Sequence, residues 1–140
     1  MTPRGIRVSK DTSFEEVVRQ LQDKEKFCAV ILEGKQVVGI FTERDALKRG
    51  LLKDTDPDTP IGNLMTPRPT LINKDESLAV AIHLMNKGQH RHLPVVGAKN
   101  EFLGLVSVRD IVFYLSENYP CDVFNLPPDP HKVSSAAEGA

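Results

Sequence analysis

The chain has 140 residues, with 18 basic and 19 acidic side chains, and its halves are nearly neutral, zero for 1–64 and minus one for 65–140. That length suits one compact domain or two small halves sharing a core, and the charge balance lacks the basic excess of a general nucleic-acid binder. There is no apolar run near the ~18 residues of a membrane span, no apolar signal region at the N-terminus, and no metal spacing or disulfide framework in Cys28 and Cys121, so a cytoplasmic protein with Cys28 as a buried thiol is expected.

In chain order, residues 6–8 can form a short strand. Phe14, Val17, Val18 and Leu21 then fall at i, i+3, i+4 and i+7, one face of a helix. Ser13 is its expected N-cap, and Glu16 three places on completes a capping box. Residues 28–32 and 37–41 are apolar runs around a polar turn containing Gly34, which predicts a hairpin. Their continuous apolar character predicts strands covered on both faces. A second helix is expected from about Glu43, with Gly50 as its stop. Residues 54–60 (DTDPDTP) are a polar, proline-bearing linker.

The chain then repeats itself. Met1-Thr2-Pro3-Arg4 recurs as Met65-Thr66-Pro67-Arg68, and KDTS at 10–13 recurs as KDES at 74–77. Residues 70–72 match the first short strand. Leu78, Ala81, Ile82 and Met85 repeat the helical spacing, with Ser77 as cap and Gly88 as the expected C′ residue. Residues 93–96 and 102–106 repeat the hairpin with one extra turn residue, and Val108, Ile111, Val112 and Leu115 mark one face of a closing helix. A unit of about 50 residues is marginal alone; two copies can bury their apolar faces against each other. The expected division is 1–53 and 65–118 for the repeats, 54–64 for the linker, and 119–140 for a proline-rich tail, extended or disordered.

The strongest local match lies where the last strand meets the last helix. Gly39-Ile40-Phe41-Thr42-Glu43-Arg44-Asp45 recurs as Gly104-Leu105-Val106-Ser107-Val108-Arg109-Asp110. One reading is structural: a hydroxyl residue with an acid three places on is a capping box. The other is chemical. A helix start presents unpaired N–H groups and partial positive charge to phosphate, and a carboxylate can accept from both hydroxyls of a ribose. The neighbouring Arg can reach phosphate, and glycine leaves room for a base.

With these pieces, the chain resembles the cystathionine-β-synthase (CBS) domain, which occurs in tandem as a Bateman module. The likeness rests on MTPRPTLINKDESLAVAIHLM, HRHLPVV and FLGLVSVRD in copy two, and on MTPRGIRVSKDTSFEEVVRQL and VVGIFTERD in copy one. It implies an α+β fold of two β-α-β-β-α repeats packed about a pseudo-twofold axis. It also implies clefts for an adenine nucleotide (AMP, ADP or ATP), an NAD-type molecule or S-adenosylmethionine, and no required cofactor. Asp45 and Asp110 match the family's ribose acceptors. Thr42, Arg44, Ser107, Arg109, Arg91 and His92 match phosphate positions. Ile6, Val8, Thr70, Ile72 and Pro94 match the adenine pocket. Copy one departs from the pattern, with Phe27 and Cys28 in place of Arg91 and His92, and Val30 in place of Pro94. One sound site and one degraded site are therefore expected.

His83, His90 and His92 fit no closed zinc pattern, so no metal is expected. Phe113 and Tyr114 add apolar surface to the last helix, which predicts a partner contact and, by the resemblance, a C2 homodimer. No nucleophile with a base is present, so the expected function is a regulatory module that signals to an effector protein. The competing expectation is a ligand-free interaction and dimerisation module.

Overall fold

The computed structural model describes residues 5–50 and 54–118. The N-terminal four residues, residues 51–53 and the tail from 119 lie outside this description, and with them the expectations for the first MTPR copy and for the tail. Two compact units divide after Val108. The first carries β1 (Gly5–Ser9), α1 (Phe14–Asp23), β2 (Cys28–Glu33), β3 (Gln36–Thr42), α2 (Glu43–Asp45), β4 (Thr66–Pro67), β5 (Ile72–Asn73), α3 (Leu78–Gly88), β6 (His92–Val96) and β7 (Phe102–Ser107). The helix α4 (Val108–Asn118) begins at the boundary and runs through the second.

Two sheets form, in the orders β1-β2-β3-β4 and β5-β6-β7. The repeat extends to the register. Val8 pairs Ile31 as Ile72 pairs Val95, each shifted by 64. The irregularity between Ile31 and Leu32 recurs between Val95 and Val96, opposite Gly39 and Gly104. Gly34, at φ 64°, makes the first hairpin a two-residue turn, since glycine enters that region at no steric cost.

β2 is covered on both faces, as its composition requires. Ala29 and Ile31 join Phe14, Val17, Phe41, Ile61 and Leu64 in a core on the helix side. Cys28 and Val30 join Ile40 and Leu105 in a second core that brings the two sheets together. The hairpin tips add to this junction. Phe102 N–H donates to Lys35 C=O at 2.8 Å, and the Arg7 guanidinium lies 4.9 Å from the Phe102 ring centre.

Several local expectations are revised. Ser13 caps α1 by accepting from Glu16 N–H at 3.2 Å, but Glu16 does not close the box. Its carboxylate turns along the helix to Arg19 and Gln20. The other free helix donors go to the linker, Phe14 N–H to Thr59 C=O and Glu15 N–H to Pro57 C=O. The linker is thus docked, and Ile61 and Leu64 complete the first core. In α3, Gln89 rather than Gly88 takes the left-handed position, at φ 55°. Gly88 is instead where the His90 ring rests, and a Cβ there would collide with it. Ile82 is exposed, while Ala81 and Met85 carry the buried face. Helix α2 has three residues and passes into a π-helical turn, Ala46–Gly50.

Pro94 lies in β6, the central strand of three. The β7 ladder runs through it (Pro94↔Leu105), whereas β5 pairs only Val95 and Val96. In the first repeat the equivalent ladder runs five residues, including Arg7↔Val30. A proline nitrogen has no hydrogen to donate, so the parallel ladder stops at Pro94.

Candidate functional site

The two strand-to-helix turns repeat in sequence. In the first, Asp45 is 8% exposed. Its Oδ2 accepts from Thr42 N–H at 3.0 Å and from Thr42 Oγ1 at 3.3 Å. Its Oδ1 accepts from Thr66 Oγ1 at 2.9 Å. The carboxylate thus seals its own helix and anchors the edge strand β4. Glycine at position 39 leaves room not for a base but for the chain itself: a Cβ there would meet Met65 Cγ at 2.8 Å and collide with its sulfur. Arg44 is exposed and Thr42 half-buried. Ile6 and Val8, expected at an adenine pocket, point into the first core, because β1 alternates its residues and buries these two.

In the second turn, Ser107 is buried and pairs across the ladder with half-buried His92. Arg91 is exposed, and its C=O accepts from Val108 N–H at 3.0 Å, fixing where α4 starts. Thr70 Oγ1 lies 3.1 Å from His90 Nε2, which holds the 70–71 segment near the loop that carries Arg91 and His92. Ile72 and Pro94 are buried. In α4, Asp110 lies in the first turn and is half-buried. The Arg109 guanidinium sits 5.6 Å from the Phe113 ring centre of the same helix. Among the described residues no three His, Cys, Asp or Glu side chains gather as a metal set, and no helix is long and apolar enough to cross a membrane.

Two β-α-β-β-α repeats with these turns correspond to the CBS domain, whose family model matches residues 1–51 and 61–117. The chain belongs to the CBS domain family. A 17.7 kDa protein of Acidianus ambivalens, encoded in the bps2 3′ region, is 28% identical over 111 residues, 79% of this chain and 66% of its own length. The CBS pair also superposes on CBSX2 in complex with AMP, with a TM-score of 0.73, 25% identity, and coverage of 84% of this chain and 93% of that one. The CBS domain protein PAE2072 of Pyrobaculum aerophilum, complexed with AMP, gives a TM-score of 0.73 at 24% identity, covering 84% and 95%.

Local pattern assigns no functional role to Thr66 or Met65, although the repeated MTPR marks them. Thr66 reaches Asp45 across 21 positions, a contact that no local pattern records. Cys28 completes this corner of the CBS pair. It is fully buried, and burial, with a smaller contribution from the Asp45 carboxylate, pushes its thiol up to about 12 from 9.0. Above pH 9 the unfolded thiol ionises while the folded one keeps its proton, so stability falls as pH rises from 9 toward 12. Between pH 8 and pH 10 Cys28 should remove about 1 kcal/mol. Urea titrations of wild type and Cys28→Val at both pH values measure this; equal losses in the two proteins would contradict it.

Proposed function

We propose that this CBS pair is a regulatory module that binds an adenine nucleotide (AMP, ADP or ATP) through its second repeat and signals to a partner protein. The observation that carries this reading is the ladder that stops at Pro94. Where the first repeat closes its parallel strands over five residues, the second pairs only Ile72 and Asn73. That leaves the 70–71 segment off the ladder beside Arg91 and His92, offering a planar base backbone groups to bond. By their places in the motif, Asp110 accepts from the ribose and Ser107 donates to phosphate. Arg91, His92 and Arg109 supply its other donors. The start of α4 favours an anion through its partial positive charge. The AMP complexes of two structural neighbours support the choice of ligand.

A ligand shifts a conformational equilibrium only as far as it binds one state better, so the signal is the difference in affinity between two arrangements of the pair. Two copies pairing through α4 would make such a change readable, and exposed Val112, Phe113 and Tyr114 support that pairing. At a ligand concentration of ~100 Kd, AMP should stabilise the protein by about 2.7 kcal/mol, seen as a rise in melting temperature. Asp110→Ala should lose most of that rise. If AMP, ADP, ATP, NAD and S-adenosylmethionine all leave the melting temperature unmoved, the chain is instead an interaction module that keeps the fold without the ligand.

A further inference from the structure

We infer that His90 is a positioning residue of the second repeat: its ring, seated on Gly88 and bonded to Thr70, takes over from the ladder that Pro94 stops and sets the backbone on which a base would lie. This rests on the adenosyl reading above and adds the residue that fixes its base subsite. In the first repeat the strand is held by its register, Ile6 pairing Ala29 and Arg7 pairing Val30. The matching pairs, Thr70 with Leu93 and Leu71 with Pro94, do not form, since β5 joins β6 only at Ile72 and Asn73. Ile6 is also gripped by the first core, where the second repeat has a threonine at the matching place. Residues 70–71 therefore need another anchor if their backbone is to meet a planar ring at a fixed distance.

The anchor is built from the end of α3. Gln89, at φ 55°, turns the chain, and its N–H donates to Met85 C=O. His90 N–H donates to the same carbonyl at 3.0 Å. With its backbone fixed there, His90 lays its ring over Gly88, where a Cβ would collide with Nε2 and Cδ2. Nε2 then lies 3.1 Å from Thr70 Oγ1, a hydroxyl that can donate or accept. In the first repeat Lys24, Lys26 and Ile6 stand where Gly88, His90 and Thr70 do. The seat, the ring and the hydroxyl thus occur together in the repeat whose ladder stops short.

The test measures AMP affinity by titration calorimetry and, without ligand, amide hydrogen exchange over 70–72 and melting temperature. Gly88→Ala puts a methyl group where the ring sits, and His90→Phe keeps a ring but loses the nitrogen. Each should bind AMP about 3–10-fold more weakly, the scale of one hydrogen bond, and should exchange the 70–72 amides faster by a similar factor. Gly88→Ala should still melt within about 3 °C of wild type, because alanine is the better helix residue and offsets the lost bond. An unchanged AMP affinity in either variant overturns the inference, as does weaker binding with exchange over 70–72 unchanged. So does a Gly88→Ala protein that melts well below wild type, because the ring would then hold the fold rather than the segment. If wild type binds no AMP, the adenosyl reading fails and the positioning role falls with it, while exchange over 70–72 still shows whether His90 holds the segment.

Discussion

Phe41→Ala should lose about 3–5 kcal/mol of folding stability. Phe41 is fully buried and meets Phe14 edge to face, with ring centres 6.1 Å apart and planes at 75°. Such a pair contributes about 0.5–1.5 kcal/mol beyond the area it buries. Around it lie Val17, Ile31, Ile61 and Leu64, contributed by a helix, a strand and the linker, so no single element can collapse to fill the space. The second repeat has Val106, only half-buried, at the equivalent place, and no aromatic pair to share the load. Domains of this size are stable by about 5–15 kcal/mol, so the substitution removes a large fraction of the total. Urea denaturation should show a lower midpoint with an unchanged slope. A loss under about 1 kcal/mol, the range of a surface change, would show that this core is not what holds the first repeat.

Asp45→Ala should cost about 2–4 kcal/mol, since hydrogen bonds to a charged group contribute about 1.5–3 kcal/mol each and a buried donor left unpaired is penalised further. Three donors meet this carboxylate, from Thr42 and Thr66. Asp45→Asn should cost less, because the amide oxygen can still accept from one of them. This expectation separates a structural acid from a ligand acid. An acid kept only for a diol is surplus in the empty protein, and removing it would leave stability unchanged or raised. Chemical denaturation of the ligand-free variants reads the difference directly.

How far the sequence reaches can be judged from these same residues. The offset of 64 between repeats was legible because side chains at matching places do matching jobs: Val17 and Ala81, and the runs on β2 and β6, fall on buried faces. The two-sided burial of β2 followed from its unbroken apolar run. What stayed hidden depends on backbone and tertiary contacts. Residues 54–60 look like a loose linker, yet their carbonyls cap α1, and a carbonyl carries no residue identity. Gly88 looks like a helix stop, but it answers to a ring two residues on. Asp45 and Asp110 are spelled alike, and only the fold shows that Thr66 lies on the first. Pro94, in the central strand, ends one ladder and spares the other, which its place in the sequence does not record.

The most direct measurement is a crystal structure of this CBS pair grown with AMP. The account predicts a bound nucleotide with its ribose hydroxyls within hydrogen-bond distance of the Asp110 carboxylate. A nucleotide whose ribose sits on Asp45, with β4 displaced and Asp110 untouched, would contradict it.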